Sequence, residues 1–195
     1  MKITKVTEDA VATLLDDLLK RSPNNYTGYA DKVQAIIDDV RECGDEALFE
    51  MTKRFDGADL NADNIRVTQA EIDEAYTLVD ASLIEVIRKA MTNIRVYHEK
   101  QRQYGWFDTT PDGTILGQKV TPLQSTGVYV PGGKAAYPSS VLMNVIPAKV
   151  AGVEKIVMVT PPTENLNQAV LAAAKIAGVD RVIGVGGVQA VAALM

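Results

Sequence analysis

The strongest constraint on the fold is an alternation that runs from Thr126 to Leu194. Short apolar runs rich in β-branched residues, Val128-Tyr129-Val130, Ile156-Val157-Met158-Val159 and Val182-Ile183, are separated by segments of helical spacing, Ser139 to Val150 and Asn167 to Ala177. A run that is apolar at every position needs cover on both faces, and a helix between consecutive runs supplies the length that a crossover between parallel strands demands. The segment is therefore expected to form a parallel sheet with crossover helices. Ala-Gly-Val recurs at 151–153 and 177–179. Each copy ends a helix and leads into a strand, which is helix-stop chemistry and not a solenoid repeat.

The first hundred residues are expected to be helical. Val11, Leu14, Leu15, Leu18 and Leu19 repeat at helical spacing behind Thr7, with Glu8 and Asp9 at the positive end of the helix dipole. After a loop at Ser22 to Asn25, Val33, Ile36, Ile37 and Val40 mark a second helix that ends at Gly44. Asp45 is placed to cap a third, through Leu48, Phe49, Thr52 and Phe55, which the turn pair Asp56-Gly57 closes. Thr68 and Glu71 form a capping box ahead of Ile72, Ala75 and Leu78. Leu83, Ile87, Met91, Ile94 and His98 make one stripe on a longer helix running to about Gly105. Asp112-Gly113 then reads as a hairpin turn, with Thr114 to Leu123 alternating like a half-buried strand. The expected organisation is α/β: a mainly helical region at 1–105, a hairpin connection at 106–125, and an incomplete Rossmann-like parallel-sheet domain at 126–195.

Composition matters here for what it excludes. With 47% apolar and 23% charged residues the chain is an ordinary folding sequence. Its net charge of −5 and scattered Lys and Arg give no nucleic-acid footprint. Neither a signal peptide nor a membrane span is expected, so the expected location is cytoplasmic. Cys43 and His98 are single residues of their kinds, which rules out an internal disulfide and a multi-cysteine zinc site. His98 is either a metal or proton-transfer residue or, the favoured reading with no other His or Cys to complete a site, the end of a core stripe; Cys43 reads as a small buried or half-buried apolar residue, since a reactive thiol would need an activating cation beside it. No catalytic and no metal-ligating residue is assigned.

Two glycine turns are the candidate site. Pro131-Gly132-Gly133 follows one strand run, and Gly184-Val185-Gly186-Gly187-Val188-Gln189 follows another. Both fall where the carboxyl edge of a parallel sheet should lie, the edge at which open α/β folds bind ligands. Glycines there let backbone approach a phosphate or ribose, and the amides that open the next helix favour an anion. The second turn fits a dinucleotide fingerprint imperfectly, since Gln189 holds the third glycine position. Glycine also occurs in such turns for steric reasons alone, and that reading stays open. Tyr129 and Gln189 are the side chains able to stack on or hydrogen-bond to a base or ribose; otherwise Tyr129 is a partly buried strand aromatic and Gln189 a polar residue of a first helical turn.

The run GVYVPGGKAAYPSSVLMNVIPAKVAGVEKIVMVTPP from Gly127 to Pro162, then VLAAAKIAGVDRVIGVGGVQAVAAL from Val170 to Leu194, strongly resembles histidinol dehydrogenase. VRECGDEALFEMTKRFDG (Val40 to Gly57) and NIRVYHEKQ (Asn93 to Gln101) are similar to earlier parts of that family. The resemblance implies an NAD-dependent, zinc-containing, cytoplasmic homodimer of histidine biosynthesis that oxidises L-histidinol to L-histidine through histidinal, using two NAD. It implies cofactor contacts at Tyr129 and Gln189. Members of the family are about twice as long, and the zinc ligands, substrate contacts and catalytic Glu-His pair belong to their second half. The chain is therefore expected to be a truncated member, inactive alone; the alternative is a stand-alone nucleotide-binding or interaction module without catalysis.

Overall fold

The computed structural model describes residues 5, 7–11, 27–132, 137–162 and 166–195. Leu14, Leu15, Leu18 and Leu19 of the first expected helix, the loop at Ser22 to Asn25, and Gly133 lie outside the described residues. Residues 8–11 are helical, and the Ala10 amide donates to the Thr7 hydroxyl at 3.2 Å.

Helices α1 (Thr27–Cys43) and α2 (Asp45–Asp56) are separated by one residue, Gly44, at φ +60°. Gly57, at φ +72°, ends α2 and donates its amide to the Lys53 carbonyl. Asp45 is the first residue of α2 and not its cap: Gly44 holds that position, so Asp45 and Glu46 act on the helix end only by charge. Strand β1 (Arg66–Val67) precedes α3 (Gln69–Leu78), whose capping box is present as expected: Glu71 N–H donates to the Thr68 hydroxyl, and Thr68 N–H donates to Glu71 Oε2 at 2.7 Å. Helix α4 (Ala81–Glu99) leads to the hairpin β2 (Trp106–Thr109) and β3 (Ile115–Gln118). The alternating part follows as β4 (Ser125–Tyr129), α5 (Pro138–Ala151), β5 (Lys155–Thr160), α6 (Gln168–Ala177), β6 (Arg181–Gly184) and α7 (Gly187–Leu194).

The main sheet has the order β1-β6-β5-β4, with β4, β5 and β6 parallel and β1 antiparallel at the β6 edge. The two-residue pattern of strand side chains sorts the core into two layers. Val128, Val130, Ile156, Met158 and Val182 share one core with α5, α6, Ile72 and Ala75 of α3 and Ile87 of α4. Val159, Val185 and Ala190 share a second with Leu48 of α2, on the side that carries α7. Helix α6 presents Ala172, Ala173 and Ala174, all essentially inaccessible, so its backbone can come close to its neighbours. At the amino end of β5, Asp180 accepts from the Ile156 amide at 2.7 Å and faces Lys149 Nζ of α5 at 3.6 Å, tying strand and helix together.

Several expectations need correction. The alternation at Thr114 to Leu123 becomes a strand only over Ile115–Gln118, and all four residues are exposed, because the hairpin pairs with itself instead of joining the main sheet. Helix α4 ends at Glu99, and i to i+3 bonds carry the next residues, with Gln101 N–H donating to the His98 carbonyl. Its buried face is Ile84 and Ile87, with Met91 and Ile94 packed against it, while Leu83 turns outward. Cys43 is exposed instead of buried: it continues the stripe of Ile36 and Val40, but α1 ends with it, beyond the layer that covers Val40. Strand β1 is a further addition, too short to leave a periodic signal.

Candidate functional site

Strands β4, β5 and β6 end at one edge of the sheet, so the segments that follow them lie side by side: Val130-Pro131-Gly132, Pro161-Pro162, and Val185-Gly186 leading into α7. This is the edge at which an open α/β sheet receives ligands. Tyr129 is the last residue of β4, paired in register with Val159, and keeps 37% of its surface exposed. Gly127 lies two residues earlier and so points to the same face. A Cβ built there would stand 2.6 Å from Leu194 Cδ1 of α7, which fixes that face as the one α7 covers. Tyr129 and Gln189, the third residue of α7, therefore share one face and one edge. They flank the end of β5, with two strand spacings of about 9–10 Å between β4 and β6.

Gln189 is the unusual residue. Only 1% of its surface is exposed, yet Nε2 has no hydrogen-bond partner. Leaving a buried donor unpaired costs about 1–3 kcal/mol. Gly187, at φ +69°, allows the arrangement: a Cβ there would lie 2.5 Å from Gln189 Oε1, so only glycine lets this side chain fold back over its own turn. The first amides of α7, as in any helix, have no intrahelical acceptor. The site thus offers an amide donor and an aromatic ring at one sheet edge.

Two clefts are further candidates. A cleft of about 440 Å³ opens beside β1 and β6, bounded by Asn64, Arg66, Glu71, Pro162 and Gln168, but neither Tyr129 nor Gln189 lines it. His98 lines a second cleft with Tyr104, Pro122 and Pro147, at the amino end of the sheet. The five residues of β4 alone put about 16 Å between the two edges. Among the described residues no three His, Cys, Asp or Glu side chains come together to hold a metal ion, so no step through zinc is assigned to these residues. The shifted carboxylates serve structure: Thr68 holds Glu71 low, Lys175 and Gln69 hold Asp73 low, Ser82 holds Asp80 low, and Thr110 and Thr114 hold Asp112 low, while burial raises Asp56. Of the five, Glu71 lines the cleft beside β1 and β6 together with Gly184, the last residue of β6.

Pro161 is a further residue of this edge, and no motif marks it. Its only signal is a Pro-Pro pair directly after an apolar strand, yet it sits between the two glycine turns and touches both.

The family model described as histidinol dehydrogenase matches residues 19–195. Histidinol dehydrogenase of Heliobacterium mobile is 50% identical over 181 residues, covering 92% of this chain and 42% of the relative. That of Pseudomonas putida is 54% identical over 182 residues, covering 92% and 41%. That of Bacillus subtilis is 54% identical over 179 residues, covering 90% and 42%. The crystal structure of histidinol dehydrogenase from Elizabethkingia anophelis superposes with a TM-score of 0.78 at 36% identity, over 85% of this chain and 38% of that one. The chain thus spans about two fifths of the length of the relatives it matches.

Proposed function

The chain belongs to the histidinol dehydrogenase family, and from that premise we propose that it provides the NAD-binding part of an enzyme that oxidises L-histidinol to L-histidine, with Tyr129 and Gln189 as the cofactor contacts. The observation that carries this reading is the unpaired Gln189 amide nitrogen at the carboxyl edge of the sheet, on the face it shares with Tyr129. A dinucleotide has what that donor lacks: ribose hydroxyl and phosphate oxygens that accept hydrogen bonds, and flat rings that pack on a tyrosine. Bound NAD would supply the hydride acceptor. This chain's own part is to hold the dinucleotide at the sheet edge.

Loss of hydride from an alcohol needs a base for the hydroxyl proton, and His98 stands at the opposite edge of the sheet. The purified chain given histidinol, zinc and NAD is expected to produce no NADH absorbance, and clear turnover would refute inactivity. Calorimetric titration with NAD is expected to give saturable heat. Tyr129→Ala and Gln189→Ala should each weaken binding about tenfold, the worth of one hydrogen bond or one ring contact. Absence of heat at millimolar NAD, or full affinity in both variants, would sink the cofactor assignment. Saturable NAD binding in a chain that also remains inert when joined by the rest of a longer relative would favour a binding module without catalysis.

A further inference from the structure

One proline ring lies against both glycine turns. A Cβ built on Gly186 would lie 2.6 Å from Pro161 Cγ, 2.8 Å from its Cβ and 2.9 Å from its Cα. One built on Gly132, in the turn after β4, would meet the same ring at 3.2–3.3 Å. Pro161 follows Thr160, the last residue of the central strand β5, whose neighbours are β4 on one side and β6 on the other. It therefore leaves the sheet between the two turns. Ring closure leaves the proline no free side-chain rotation, so the ring lies where the backbone leaving β5 puts it.

We propose that Pro161 is the spacer of the nucleotide site: its ring sets the gap between the Tyr129 turn and the Gln189 turn, Gly186 is a glycine because the ring occupies the space its side chain would fill, and at Gly132 the ring leaves a methyl only a tight fit. This rests on the cofactor reading for its consequence but not for its geometry. It alters the meaning of the motif. In the second turn, Gly186 makes room for Pro161 and Gly187 makes room for Gln189, so neither needs an approaching phosphate to explain it. Pro161 is a positioning residue, acting on the ligand through the two turns it separates.

The test combines a stability cycle with a binding measurement on the purified chain. Gly186→Ala is made in three backgrounds: Pro161, Pro161→Ala and Pro161→Gly. In the first, the added methyl overpacks the turn and should lower the thermal midpoint by about 3–10 °C. That loss should shrink when the ring is cut back to a methyl, and shrink again when the methyl is removed. An equal loss in all three backgrounds overturns the wedge. NAD titration then separates positioning from mere packing. Pro161→Ala should leave a cooperative thermal transition and raise the NAD dissociation constant about tenfold, because the turns lose their fixed separation. If Tyr129→Ala and Gln189→Ala weaken binding while Pro161→Ala does not, the spacer role is overturned and the cofactor site stands. If the unaltered chain binds no NAD, the cofactor reading and the positioning role fall together, and the stability cycle alone decides whether the wedge exists.

Discussion

Gln189 shows how a single side chain can be at odds with the stability of its own fold. Its Nε2 is buried without a partner, an arrangement that folding alone does not favour. Gln189→Met keeps the length of the side chain and removes the unpaired donor. The variant is expected to unfold about 2–4 °C higher than the parent, from the relief of roughly 1 kcal/mol, and to bind NAD more weakly. Differential scanning calorimetry and an NAD titration on the same preparation check both halves. A lower midpoint would mean that the amide is satisfied in solution. The sequence located this residue within a glycine turn but could not reveal its burial: being polar in a first helical turn, it reads as solvated until Gly187 is seen at φ +69° and the side chain is seen folded back. Cys43 fails in the opposite direction, since its apolar stripe is legible and the end of the covering layer is not.

At the scale of elements, local chemistry was the most legible. The Thr68–Glu71 box and the glycine stops at Gly44 and Gly57 each rest on bonds or torsions within a few residues, so sequence alone contains them. Strand β1 and the exposure of the hairpin depend on partners distant in the chain, and no local pattern encodes them. Thr68→Ala should cost about 1 kcal/mol of unfolding free energy at neutral pH. The Thr68 hydroxyl and amide hold the Glu71 carboxyl below the usual carboxylate range. A group depressed in the folded state adds stability above its unfolded-state pKa and loses it as pH falls through the folded value. The stability gap between the parent and Glu71→Gln should therefore narrow as urea titrations move from neutral into acid solution, and a gap that widened would contradict the assigned bond. Asp180→Ala removes the acceptor of the Ile156 amide and the partner of Lys149. It should cost about 1–3 kcal/mol, read by the same titrations.

Across the whole molecule, the sheet has cover on both faces: α5 and α6, backed by α3 and α4, on one, and α7 with α2 on the other. The face exchange between α6 and α7 brings Gln189 onto the side of Tyr129, and it was not legible, because alternation shows that helices cover a sheet without showing which face each one takes. The hairpin of β2 and β3 stands outside both layers. Trp106, Phe107, Ile115 and Leu116 each expose more than half of their surface. Trp106 is the sole tryptophan. Indole emission from this chain is therefore a signal from the arm and not from the core. It should be red-shifted in the native protein and should barely change through the urea transition that far-UV circular dichroism records; a coincident fluorescence transition would place Trp106 in the cooperative unit. A fluorimeter would consequently be blind to melting of the carboxyl edge of the sheet, yet a blue shift would announce at once any surface that closes over the arm.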